Sequence, residues 1–197
     1  MKLTLALLRG WSVPSVVALT LGCAVTLSFL PVMVPLPRVF TGADLLAPLA
    51  SIGALFVAIA AFSSGQEPSD LLLATAPRLV RWANPVRVLV VCAVGAAALT
   101  AVGPEHPLAV TSPVAALAGE GLLIAGFSSL RFAWTLPTMH VIVALTFGAA
   151  GRIDLAPWAW VISRTPSASA ATASTILFAA GFVAWSTRHR RHGSTLE

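Results

Sequence analysis

The sequence predicts an all-α fold: a polytopic membrane bundle of about six transmembrane helices, with both termini on the inner side. Three observations predict it. The chain is 57% hydrophobic and only 10% charged, against about 25% charged in soluble domains. Its apolar stretches recur in blocks of the length needed to cross about 30 Å of hydrocarbon. Its arginines fall mostly on one side of those blocks. A soluble fold could not hide this much apolar surface, whereas lipid can solvate it.

The 197 residues suit a single transmembrane domain with short connectors. Charges divide it into spans at approximately 12–34, 44–63, 87–104, 108–127, 134–150 and 168–187. With the N-terminus inside, the inner side carries Lys2, Arg9, Arg78, Arg81, Arg87, Arg131, Arg188, Arg190 and Arg191. The outer side then carries only Arg38, Arg152 and Arg164. An even number of spans follows from placing both ends inside.

The first block begins after Lys2 and Arg9 and continues past Cys23 to Pro35. It is too long for the apolar core of a secretory signal and reads as a retained span. Between the second and third spans lies the longest inner connector, from Ser63 to Val86. There Ser69 suits an N-cap, Asp70 a first turn and Pro77 a helix stop. A short helix through Asp70, Leu71, Leu72 and Leu73 is expected at the inner membrane face, followed by Arg78, Arg81 and Trp82. An amphipathic linker resting on lipid is the plainer reading of the same residues.

In the third span, Cys92, Ala96, Thr100 and Gly103 form a small-residue stripe suited to close helix packing. The fourth and fifth spans each contain one ionisable residue, Glu120 and His140. Both fall roughly 10 Å from the inner turn at Leu130-Arg131 on two antiparallel neighbours. They form either a proton- or substrate-sensing pair or a structural hydrogen bond between helices. The longest outer connector, Gly151 to Ser167, carries Trp158 and Trp160 between Pro157 and Pro166. Its tryptophans suit the outer interface. The tail Arg188-His189-Arg190-Arg191-His192 reads as a basic anchor at anionic lipid.

Several chemistries are excluded. The net charge of +5 does not mark a nucleic-acid partner, because the basic residues are scattered singly between apolar blocks. A phosphate-binding Gly-x-x-x-x-Gly-Lys-Ser/Thr loop is absent, Lys2 being the sole lysine. Cys23 and Cys92 give neither a disulfide framework nor metal-ligand spacing. Gly126-Phe127-Ser128-Ser129 departs from the Gly-x-Ser-Gly pattern of intramembrane serine proteases. The chain is therefore expected not to be an enzyme and to hold no cofactor or metal of its own.

The organisation resembles the membrane subunit of bacterial ABC exporters whose permease and ATPase are separate chains. The resemblance covers the whole chain: an inner lead-in from Met1 to Gly10, six spans, a long inner loop and a long outer loop. Asp70-Leu71-Leu72-Leu73-Ala74-Thr75-Ala76-Pro77-Arg78 and Leu177-Phe178-Ala179-Ala180-Gly181-Phe182 are also similar to small actinobacterial-type permeases. The resemblance implies a multi-pass protein of the bacterial cytoplasmic membrane, partnered by an ABC ATPase and a second permease copy. ATP would act only through that partner. Asp70, Leu71, Leu72, Leu73, Arg78 and Arg81 would form the coupling segment, and short helices in the outer loop would close the outward end. A non-transporting scaffold or accessory subunit is the alternative, and an ATP-independent carrier or a membrane-embedded enzyme is a third reading.

Overall fold

The computed structural model describes residues 33–36, 45–65, 77–102, 106–148, 156–163 and 167–193, with residues 18, 21–23 and 26. Among the described residues, two short strands, β1 (Met33–Leu36) and β2 (Leu45–Pro48), precede five helices from Leu49 onward. These are α1 (Leu49–Gly65), α2 (Pro77–Val102), α3 (Pro107–Phe127), α4 (Thr135–Phe147) and α5 (Ala168–Gly193). A 3-10 turn at Leu130–Phe132 joins α3 to α4, and a second, Pro157–Ile162, lies between α4 and α5.

Among the described residues, four helical segments are long and apolar enough to cross a membrane: Asn84–Ala101, Pro107–Phe127, Leu130–Phe147 and Ala168–Thr187. The helix at Ser51–Gly65 is apolar but shorter. This predominantly helical architecture points to a membrane protein. Of the first expected span, 12–34, residues 18, 21–23 and 26 are helical, whereas Met33 and Val34 belong to β1; its other residues lie outside those described.

The fold is helical as expected, apart from one short ribbon that corrects the start of the second span. Met33 pairs with Pro48 and Leu36 with Leu45 in an antiparallel ribbon. The second expected span therefore begins extended, and its helix starts only at Leu49. Prolines explain the change. Pro35 and Pro48 lack the N–H that a helix interior would use, and both fit an edge strand.

A second correction concerns Pro77. The expected helix stop is instead the first residue of α2, which carries Arg78, Arg81 and Arg87 in one continuous helix. Proline suits that position because the first turn has no intrahelical use for its N–H. The short helix expected through Asp70, Leu71, Leu72 and Leu73 lies outside the described residues.

The core lies along α1 and α3. Ala54, Val57, Ala58, Ala61 and Phe62 of α1 are buried, as are Val114, Leu117, Ala118 and Leu122 of α3. On α2 the buried stripe is Asn84, Val88, Cys92, Gly95 and Leu99. This shifts the expected stripe: Cys92 remains on it, Ala96 and Thr100 sit at its margin, and Gly103 is outside the described residues. Val57 of α1 decides the register. A Cβ on Gly95 would stand 2.4 Å from its Cγ1.

α3 and α5 approach most closely at Gly119 and Gly181. A Cβ on Gly181 would lie 2.2 Å from the Gly119 carbonyl oxygen, and one on Gly119 would lie 2.6 Å from the Leu177 backbone. Backbone cannot move aside as a side-chain tip can, so only glycine permits this contact. The outward surface is equally informative. Val86, Val90 and Val94 of α2 and Ile176 and Val183 of α5 are exposed. Thr172 and Thr175 on α5 each donate their hydroxyl to a carbonyl one turn back, Ala168 and Ala171 at 2.8 Å. Hydroxyls satisfied within their own helix can face lipid without an unpaired donor.

Candidate functional site

α3 and α4 run as antiparallel neighbours through the Leu130–Phe132 turn. The turn is closed by Phe132 N–H to the Ser129 carbonyl and Ala133 N–H to the Leu130 carbonyl. Phe127 is 83% exposed and Phe132 and Trp134 are also exposed, giving an aromatic rim beside Arg131 of the kind found at a headgroup interface. About two turns above it, Glu120 and His140 face each other.

His140 Nδ1 lies 2.5 Å from Glu120 Oε1. Glu120 is buried at 7% exposure, deep enough for the carboxyl to lose most of its solvation. Its neighbours on α3 are Ala116, Leu117, Gly119 and Gly121, all buried, so the helix around it offers no polar side chain. Glu120 Oε2 has no protein partner. Among the described residues, the imidazole is thus the one side chain that offsets the desolvation of this carboxyl.

The second imidazole nitrogen meets the turn between α4 and α5. His140 Nε2 is 3.2 Å from the carbonyl oxygen of Trp158, and the Trp160 ring stands edge-on to the imidazole at 6.4 Å. Local folding explains how this turn returns to α4. Ala156 N–H donates to the Gly148 carbonyl at 2.7 Å, which brings the chain back to the C-terminal end of α4. Pro157 then starts the 3-10 turn, where its missing N–H costs nothing. Val161 and Ile162 are buried beneath it. A Cβ on Gly148 would come within 2.7 Å of the Ala159 Cβ, so the turn lies directly on the helix end. His140 is eight residues before Gly148, so its Cα lies roughly 12 Å below that end.

The two contacts of His140 set its hydrogens. A backbone carbonyl only accepts, so Nε2 must carry a hydrogen and donate to Trp158. The Nδ1–Oε1 contact then needs a hydrogen of its own, whether it resides on nitrogen or oxygen. The pair therefore carries two protons and no net charge: an imidazolium with a carboxylate, or a neutral imidazole with a carboxylic acid. Such a centre can hold and release a proton, or accept a hydrogen bond from a polar group through Oε2. Among the described residues no group of three His, Cys, Asp or Glu stands together as a metal site would require.

Of the residues singled out in the sequence, the structure brings Glu120 and His140 together. Arg78 and Arg81 lie on the first turns of α2, whereas Asp70, Leu71, Leu72 and Leu73 lie outside the described residues. Ser128 donates its hydroxyl to the Ile124 carbonyl at 2.8 Å, while His140 is engaged with Glu120 and Trp158. Two features escaped the sequence reading. The Trp158 carbonyl is backbone and leaves no mark on residue identity; Pro157 between apolar residues was its sole signal. Asn84 was read as part of a connector, yet it is fully buried with neither side-chain amide atom paired.

Comparison with protein-family models, with curated proteins and with solved structures finds no match to this chain.

Proposed function

We propose that this chain is the permease subunit of an ABC-type exporter in the bacterial cytoplasmic membrane. A separate ATPase would drive it, a second permease copy would complete the pathway, and its substrate would be hydrophobic or amphipathic. Glu120 and His140 are the polar centre of that pathway. The observation that supports the reading is a carboxyl–imidazole pair, its carboxyl buried and its imidazole half-buried, capped by the folded-back turn Pro157–Ile162. Replacing a buried ionisable pair by well-packed apolar residues often stabilises a protein. A pure scaffold would therefore gain nothing obvious by keeping this one. The 3-10 turn Pro157–Ile162 also stands in the connector where the resemblance expects short outer helices.

The test is purification from the native host in mild detergent, followed by ATP-dependent accumulation of a fluorescent amphiphile in inside-out vesicles. An ATPase should co-purify with the chain. Glu120→Ala, His140→Ala together should leave assembly intact and lower accumulation at least about tenfold, the effect of losing about 1.4 kcal/mol of pathway stabilisation. Undiminished accumulation by the double variant would remove the pair from the pathway. If no ATPase accompanies the chain, the scaffold reading replaces the exporter.

A further inference from the structure

Among the described residues, the ionisable groups on the elements packed against α4 can be named. α4 itself contains His140 alone, and α3 contributes Glu120 alone. Neither α1 nor the Pro157–Ile162 turn, the other elements against α4, contains an ionisable side chain. Arg131, on the Leu130–Phe132 turn, is exposed at the far end of the helix. Among the described residues, the protonation of this region is therefore a property of one pair.

That pair holds the outer turn only while it carries both protons. Remove one to water and a carboxylate remains beside an imidazole with a single N–H. The imidazole must then choose between Glu120 and the Trp158 carbonyl. A carboxylate is the stronger acceptor, so the hydrogen goes to Nδ1. Nε2 is left with a lone pair facing the lone pairs of the Trp158 oxygen, and that contact turns repulsive. The pair now also bears a net negative charge at a depth where an unsolvated anion is costly. Lifting the turn relieves both, because water can then reach the pair.

From this geometry we propose that His140 is a proton-operated latch. With two protons on the Glu120–His140 pair, the Pro157–Ile162 turn is held down over the outer end of the bundle; with one, it is released. This deepens, and rests on, the reading of the pair as the polar centre of an outward pathway, and it makes opening of the outer side sensitive to proton availability.

The experiment places a reporter under the turn. Val161→Cys, buried when the turn is down, is introduced after Cys23→Ala and Cys92→Ala. A second reporter, Ser169→Cys, lies exposed on α5. Each is labelled in proteoliposomes with an impermeant maleimide from about pH 5 to about pH 9, the range a histidine-centred pair commands. The ratio of the two labelling rates cancels the ionisation of the thiol itself. In the parent the ratio should rise about fivefold toward alkaline pH, the effect of losing one hydrogen bond. Glu120→Gln keeps the size of the side chain and donates to Nδ1, so Nε2 keeps its hydrogen; the ratio should be low at every pH. His140→Ala has no latch, and its ratio should be high at every pH. A flat ratio in the parent, or a Glu120→Gln variant that still titrates, overturns the latch.

Labelling needs neither cargo nor ATPase, so the two readings fail separately. A titrating latch combined with full export by Glu120→Gln would sink the pathway reading and leave the latch. A flat ratio would sink the latch and leave the export assay to decide the pathway.

Discussion

Asn84 and Gly181 show how much a single residue contributes here. Asn84 is fully buried and its amide has no partner among the described residues. An unpaired buried amide costs about 1–3 kcal/mol, and leucine has the same branching and the same number of side-chain heavy atoms without the polar groups. Asn84→Leu should therefore raise the apparent Tm in detergent, read by fluorescence-detected size exclusion after heating; an unchanged or lower Tm would show that the amide is satisfied in the membrane. Gly181 gives the opposite case. A methyl group there meets the Gly119 carbonyl at 2.2 Å, so Gly181→Ala must part α3 from α5. A destabilisation of roughly 1–3 kcal/mol is expected for such overpacking. Gly22, with nothing within 4 Å of its would-be Cβ, is the control: Gly22→Ala should leave the Tm unchanged in the same assay. Equal behaviour of the two variants would refute the close approach.

Among the elements, the Pro157–Ile162 turn and the connector before α2 bear most directly on function. The turn is seated by Gly148 against Ala159. Gly148→Val should lift it, so that Val161→Cys labels rapidly at every pH with the Glu120–His140 contact left in place. Slow labelling that still depends on pH would mean the turn is held by something other than that seat. The connector holding Ser69, Asp70 and Leu71 to Leu73 precedes α2, which begins at Pro77 and contains Pro85. An interior proline favours a bend, so a push on the first turns of α2 would tilt them against the rest of the helix. On the exporter reading, Leu72→Pro should leave insertion normal yet abolish ATPase coupling. Normal expression, complex formation and accumulation in that variant would remove the coupling role.

For the whole molecule, the distribution of arginines sets the expected orientation. Both termini should be cytoplasmic, with Glu105 and Trp158 outside. Single cysteines at those positions and at Arg190 should label from outside intact cells only at Glu105 and Trp158. The reverse pattern would invert the arrangement and place the folded-back turn on the inner side.

Composition and block length made helices of membrane-crossing length legible without any structure, because a helix must satisfy its own backbone in lipid and needs about 20 apolar residues to do so. The buried ionisable residues were legible for the same reason: Glu120 and His140 are conspicuous in apolar blocks, and the 1.5 Å rise per residue put them at one depth. The edges of elements were less legible. Pro77 can end one helix or begin another, and Pro48 can close a strand or a span; both are local ambiguities that packing resolved. Which face each helix turns inward was decided by tertiary structure alone. The α2 stripe runs through Gly95 because Val57 fills that place, and Gly119 meets Gly181 because two backbones need the room. So was the second partner of His140. A backbone carbonyl belongs to every residue alike, and only the return of the chain at Ala156 and Pro157 could bring that of Trp158 to the imidazole.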